Sequence, residues 1–490
     1  MFPKTRPIRM ETDDLAWEKS DEEADSWERS LYKAETHYSI AHLIMKYRPG
    51  EAVELHRPIR GGYNILFRLE FKDGSSAAMR IPCKGIVKFP DEKFDYEVAI
   101  LRYVAKYTTI PVPKVYHHGP AAENPLGLGP FMIMDYIDHD RTMSHALNDP
   151  LLASDAPHAL NNDIDEERLK LLYGQMANIL LQLSTLSFSQ IGSLVEEKEG
   201  QISVSGRPLI QNMNSLVEFA SVPSKLLPSK QYRTSTEWYS AMADMHLFQA
   251  TLQRNDAIVD EDDARDKFVA RQLFRRLAAS GQLATLFNAQ NGRGFETTFR
   301  LYSEDLRPSN VLIDKDLRVV GVIDWEFAYV APAEFAFDPP WWLLLKSPEY
   351  WPGGYIPWME AYEPRFNTFL SVLKLEEEKM RNSKSDTSPP PQGDLLSERM
   401  RKRWESKTWL INYAARNSWA FDFIYWRFMD SDFFGPNERE DHVARLDLLA
   451  DNEMDALACF VEMKMQDFRT RALAGEDNDD SLVRINKVFC

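Results

Sequence analysis

LYSEDLRPSNVLIDKDLRVVGVIDWEFA, residues 301–328, is the stretch on which the reading of this 490-residue chain turns. Asp305 and Asn310 stand five residues apart in a proline-containing loop that follows a short apolar run. Val311-Leu312-Ile313 then reads as a strand, Asp314-Lys315-Asp316 as a turn, and 319–323 as a returning strand that ends at Asp324. A loop, a hairpin and an acid at its far end bring three oxygen-bearing side chains to one edge. That grouping suits phosphoryl transfer, in which a carboxylate orients an attacking hydroxyl and accepts its proton while hard oxygen ligands hold magnesium on phosphates. Asp305 fits the first task; Asn310 and Asp324 fit the second.

SEDLRPSN also matches the kinase catalytic-loop pattern HxDxxxxN at every position but the first, where Ser303 stands in place of His. VIDWEFA, together with FDPPWWLLL at 337–345, resembles the aminoglycoside phosphotransferase and choline-kinase-like family, in its fungal-type members, over residues 50–345. The resemblance implies an α+β, protein-kinase-like bilobal fold: a small antiparallel β-sheet N-lobe and a large, mostly helical C-lobe, with ATP and Mg2+ between them. It implies Asp305 as catalytic base and Asn310 and Asp324 as magnesium ligands. Glu326 becomes either a further ligand or a solvent-facing acid, and Asp338 either a brace capping amides of the catalytic loop or a helix N-cap. Gly61 and Gly62 match the turn that lets backbone amides approach nucleotide phosphates. Arg80 occupies the place of the phosphate-gripping lysine, and Glu97 that of its ion-pair partner; Arg keeps the charge but is bulkier and forked. Asp135 and Ile137, in FMIMDYIDHD, would offer main-chain groups to adenine.

Outward from the motif, residues 1–48 read as a helical extension whose segment 11–28 mixes acid with Leu15 and packs on the body through Trp17 and Trp27. Residues 49–137 form the nucleotide-binding N-lobe. Alternation of Ile65, Phe67, Leu69 and Phe71, then Lys-Asp-Gly and a second apolar run, predicts a hairpin there. A helix at 92–105 carries Phe94, Val98, Leu101 and Ala105 on one stripe. From 138 to 468 the pattern is helical, with Leu172, Met176, Ile179, Leu180 and Leu183 at helical spacing and further helices near 237–253 and 264–279. Residues 383–393 read as a polar, proline-rich loop and 469–490 as a frayed acidic tail. The aromatic run 404–428 has helical spacing, which favours core packing over a cage for a quaternary ammonium.

The formal charge of -17 argues against a nucleic-acid binder, which needs a basic face. Three widely separated cysteines form no CxxC pair, and the expected setting is reducing and cytoplasmic. No apolar run is long enough to span a membrane. The function expected is ATP- and magnesium-dependent phosphorylation of a hydroxyl on a small molecule, a cationic or amine-bearing acceptor suiting the acidic and aromatic character of the helical lobe. Two alternatives remain open: a catalytically weakened kinase-like binding or scaffold protein, favoured by Ser303 and Arg80, and a protein kinase, disfavoured by the short span after Asp324. The fold alone names neither the acceptor nor the oligomeric state.

Overall fold

The computed structural model describes residues 10–198, 200–291, 298–383, 394–474 and 478–489; all but the first residue of the loop expected at 383–393 lies outside them. The N-lobe is an antiparallel sheet of β1 (Ala52–Leu55), β2 (Ile59–Arg60), β3 (Asn64–Phe71), β4 (Ser76–Pro82), β5 (Val115–Gly119) and β6 (Phe131–Asp135). The strand order is β1-β3-β4-β6-β5, with β2 paired to β3. The hairpin read at 72–74 is present, and Gly74 takes the positive φ of 81° that its turn requires. Side chains alternate across a strand, so Ile65, Phe67, Leu69 and Phe71 bury one face of β3 against Ile40, Leu43 and Ile44. Register pairs Leu66 with Arg80, which places Arg80 on the opposite face.

Two helices precede the sheet, α1 (Asp14–Leu31) and α2 (Ala34–Tyr47), and α3 (Pro90–Tyr107) follows β4. On α3 the stripe is Phe94, Val98, Leu101 and Val104, whereas Ala105 is exposed. Helix α1 reaches across both lobes. Its N-cap Asp13 accepts from Ala16 N–H at 3.0 Å and from Asn255 N–H and Nδ2 at 3.0 and 2.9 Å. Ser20 Oγ lies 3.0 Å from Gly85 O in the N-lobe and 2.8 Å from Glu218 Oε1 in the C-lobe. Trp17 stacks on Phe219 with ring centroids 5.1 Å apart. Asp13→Ala removes the cap and strands the buried Asn255 amide, so we expect a loss of about 1–3 kcal/mol and faster proteolysis within 14–31.

The C-lobe opens with β7 (Arg141–Thr142), α4 (Met143–Leu147) and α5 (Glu166–Thr185), on which Leu172, Met176, Ile179 and Leu183 are buried and Leu180 is half-buried. Next come β8 (Ser187–Phe188) and a hairpin of β9 (Ser193–Lys198) and β10 (Gln201–Gly206), where the sequence reading expected only helices. Its short alternation, Ile202 and Val204 half-buried between polar residues, is a strand signal that the neighbouring helical periodicity masked. Helices α6 (Gln211–Ala220), α7 (Ser235–Leu252), α8 (Glu261–Ala279) and α9 (Gln282–Asn291) lead to β11 (Phe299–Ser303). The hairpin of β12 (Val311–Ile313) and β13 (Val319–Val322) pairs with β7, while β11 pairs with β8 and β14 (Ala328–Pro332).

The remainder is helical: α10 (Ala333–Ala336), α11 (Tyr355–Ser383), α12 (Leu396–Ser406), α13 (Trp409–Arg416), α14 (Phe421–Ile424), α15 (Asp430–Phe434), α16 (Asp451–Thr470) and α17 (Asn478–Val488). Trp409, Trp419, Tyr425 and Trp426 belong to the C-lobe core, as their spacing implied. The frayed tail is corrected: α17 docks through buried Val488 and through Arg484, whose Nη1 and Nη2 donate to Asp467 at 2.7 and 2.8 Å. Among the described residues no helix is long and apolar enough to cross a membrane.

Candidate active site

The loop between β11 and β12 folds back on itself through one side chain. Asn310 Nδ2 donates to the backbone oxygen and to Oδ2 of Asp305, both at 2.8 Å. Two acceptors fix the amide orientation and leave Asn310 Oδ1 unengaged among the described residues. The backbone oxygen of Asn310 accepts from Ile323 N–H at 2.9 Å, which sets Asp324 beside the same loop. Arg307 Nε lies 2.7 Å from Asp305 Oδ1. Asp305, Asn310 and Asp324 are thus joined by two short links.

Asp324 and Phe327 both take left-handed backbone conformations, with φ of 57° and 58°. Such conformations in non-glycine residues cost about 1–3 kcal/mol each and persist where surrounding structure enforces them. Here Trp325 enforces them: it is buried and its Nε1 donates to Val322 O at 3.1 Å. The sharp turn aims Asp324 and Glu326 at the N-lobe. Arg80 on β4 pairs with Glu97 of α3 and with Asp324 Oδ1, and its Nη2 reaches Glu326 Oε2 at 3.1 Å. Lys93, one helical turn before Glu97 and fully buried, pairs with the same Glu326 and donates to Asn64 Oδ1 at 2.8 Å. Asn64 Nδ2 completes the ring with a bond to Glu326 Oε2 at 2.8 Å.

Glu326 is therefore buried rather than solvent-facing, and Lys93, Arg80 and Asn64 all engage its Oε2. Burial alone would raise its pKa, yet Lys93 and Arg80 outweigh burial and hold it below the ordinary carboxylate value. Burial raises Glu97 and Asp324 against the pull of Arg80. Desolvation raises Asp305 to about 6, opposed by Arg307 and helped by the Asp324 charge. Asp324 Oδ2, like Asn310 Oδ1, has no partner among the described residues. These two hard oxygens fit Mg2+, which prefers one or two protein ligands completed by phosphate and water. Among the described residues no cluster of three His, Cys, Asp or Glu side chains could hold a metal.

The remaining expected residues fall around this centre. Gly61 and Gly62 lie in the β2–β3 turn, closed by Gly61 N–H to Asn64 O at 2.8 Å. Neither needs glycine for the fold: a Cβ at Gly62 would meet nothing within 4 Å, and one at Gly61 only Asn64 O at 3.5 Å. The turn stands over the Asp324 segment through the Asn64–Glu326 bond and an edge contact of Tyr63 on Phe327 at 5.3 Å. Asp135 ends β6; its N–H is spent on Lys114 O at 2.9 Å and its carboxylate accepts from Tyr116. Ile137 covers Gly321 on β13, where a Cβ would come 2.6 Å from Ile137 Cδ1, so the connector rests on the hairpin that leads to Asp324. Asp338 departs from expectation. Among the described residues it binds no amide of the catalytic loop and caps no helix; its Oδ2 accepts from Asn412 Nδ2 at 2.8 Å, with Arg403 at 3.7 Å from Oδ1.

Beside Asp305 opens a cavity of about 890 Å³, lined on the C-lobe side by Glu304, Arg307, Trp341 and Trp419. Residues 57–367, well over half of the chain, match the phosphotransferase enzyme family designated APH. The chain belongs to that family. No curated protein matches the sequence. Solved structures of similar chains include a thermostable mutant of aminoglycoside phosphotransferase APH(4)-Ia with AMP-PNP and hygromycin B, 16% identical over 75% of this chain and 99% of that one, TM-score 0.37. A macrolide 2'-phosphotransferase type I is 14% identical over 86% and 98%, TM-score 0.38. An ethanolamine kinase from Plasmodium vivax is 12% identical over 92% and 94%, TM-score 0.38.

In this APH-family chain the sequence reading missed Lys93 and Asn64. Lys93 sits four residues before Glu97 on one face of α3, a spacing that could have flagged it. It also passed over Glu304, which burial pushes up to about 8 and whose Oε2 accepts from Gln211 N–H at 3.0 Å. Ser303, in place of the pattern's His, keeps a buried hydroxyl with no hydrogen-bond partner among the described residues.

Proposed function

We propose that the protein transfers the γ-phosphoryl group of ATP to a hydroxyl of a small molecule. The observation that carries this reading is the junction of Asp305, Asn310 and Asp324 at the edge of a cavity large enough for a metabolite-sized acceptor. The Asp305 carboxylate, steered by Asn310 and Arg307, accepts the hydroxyl proton. Asn310 Oδ1 and Asp324 would hold Mg2+, which when bound neutralises phosphate charge. Arg80, kept in place by Glu97, would supply a fixed cation to the phosphates, and Gly61 and Gly62 would leave their backbone open to them. Asp135 through its carbonyl and Ile137 through its N–H would receive the adenine.

Only Trp325–Phe327 separate Asp324 from β14, so no long activation segment is present, which favours a small acceptor over a protein. Aromatic walls stack on cationic and on flat apolar groups alike and do not set the acceptor's charge. The test is magnesium-dependent binding and slow hydrolysis of ATP, wild type against Asn310→Ala. We expect the variant to lose at least about tenfold in apparent Mg2+ affinity, the scale of a lost metal-site contact. Equal magnesium dependence in both proteins would refute the assignment, and a wild type that binds ATP without hydrolysing it would favour the scaffold reading.

A further inference from the structure

The three acids and three cations that line the cavity beside Asp305 are unevenly paired. Asp305 is matched by Arg307. Glu349 is satisfied by two phenols, Tyr355 OH at 2.7 Å and Tyr413 OH at 2.9 Å. Glu304 Oε2 accepts the Gln211 N–H at the start of α6, and burial pushes its pKa up to about 8. Two cations remain, Arg416 and Lys346.

Arg416 ends α13 with its guanidinium between two rings, 4.7 Å from the Tyr302 centroid and 4.8 Å from that of Phe335. Its Nε donates to Asn412 O at 3.1 Å and its Nη1 to the Tyr302 hydroxyl. No carboxylate among the described residues lies within 4.0 Å of it, and the same holds for Lys346. Burial lowers Arg416 only to about 10, so it stays charged at neutral pH. A half-buried cation oriented by neutral partners and left without a counter-ion is poised for an external anion, and a guanidinium fork suits carboxylate or phosphate oxygens.

We propose that the acceptor carries an anionic oxygen group, a carboxylate or a phosphate ester, which docks on Arg416 and Lys346 while its hydroxyl faces Asp305. This rests on the phosphotransfer reading for the role of the hydroxyl, and it replaces the cationic acceptor suggested by the acidic and aromatic character of the helical lobe. Net charge acts over the whole surface, whereas a ligand in the cavity meets the unpaired cations within one Debye length.

The test uses three probes that share a phenol and differ in charge: 4-hydroxyphenylacetate, its neutral amide, and tyramine. Phenyl phosphate is added to separate the two anion types. Binding is followed without nucleotide through the fluorescence of the cavity tryptophans. The acid or phenyl phosphate is expected to bind at least about tenfold more tightly than tyramine, with the amide between, as charge-assisted hydrogen bonds allow. Arg416→Gln should remove about tenfold from the anion and leave the amide within about twofold, with Arg416→Lys in between. The wild-type ranking stands even if Arg416→Gln does not fold. Tyramine binding as tightly as the anions, or neither anion binding by about 10 mM, on the weak side of the millimolar range, would overturn the proposal. Because nucleotide is absent, this outcome is separate from the ATP test: loss of ATP hydrolysis with the anion ranking intact sinks phosphotransfer alone.

Discussion

Asp305→Asn is expected to lower turnover about 10²- to 10⁴-fold, the usual contribution of a positioned general base, while ATP binding persists. The substitution keeps the size of the side chain and removes its capacity to accept a proton. It also deprives Arg307 of its carboxylate at 2.7 Å. The pH profile follows from the direction of the shift. Desolvation holds the wild-type Asp305 up to about 6, and the ionised form is the active base. The rate constant kcat/KM should therefore rise as pH increases through about 6 and level off above it, since kcat/KM reports groups of the free enzyme. The rise should have the slope of one proton, because neighbouring Glu304, held up to about 8, ionises only later. A flat profile from pH 5 to 7, or an Asp305→Asn variant with wild-type turnover, would show that another group takes the proton.

The parts of the site that were legible in the sequence are those that a short segment carries by itself. Asp305, Asn310 and Asp324 are brought together by a loop and a hairpin spanning 305–324, so strand and turn signals suffice to predict their meeting. Arg80 and Glu97 were marked by the family resemblance; a strand and the helix after it are adjacent in space, and their ion pair is the result. Lys93, Asn64 and Glu326 form one cluster from three separate segments, and no local periodicity marks such a union. Arg416 was hidden for a different reason. It lies in an aromatic stripe whose helical spacing reads as core, and the stripe is core, yet Tyr413, Arg416 and Trp419 at its middle also face the cavity. The β9–β10 hairpin and the docked α17 were lost where weak signals stand beside strong ones: long helices on one side, a run of acid on the other.

Arg80→Ala is expected to cost about 3–5 kcal/mol of folding stability, the range for breaking a buried ion pair on one side. Arg80 and Lys93 together face Glu97, Asp324 and Glu326, so two cations already serve three buried or half-buried acids; without Arg80 one cation is left. Arg80→Lys should recover part of the loss, because a single ammonium cannot span the carboxylates that the guanidinium fork reaches. The sign with pH is fixed by the two acids that burial already raises, Glu97 and Asp324. An acid whose folded pKa lies above its unfolded value favours the folded state when protonated and disfavours it as pH rises through the folded value. Removing Arg80 raises both further, so the deficit of Arg80→Ala should shrink on acidification and be greatest near neutral pH, as measured by urea melts at pH 5 and pH 7.5. A variant within about 1 kcal/mol of wild type at neutral pH would mean that the cluster is well solvated, as surface ion pairs are, and Arg80 would then be free to serve the phosphates without holding the lobes together.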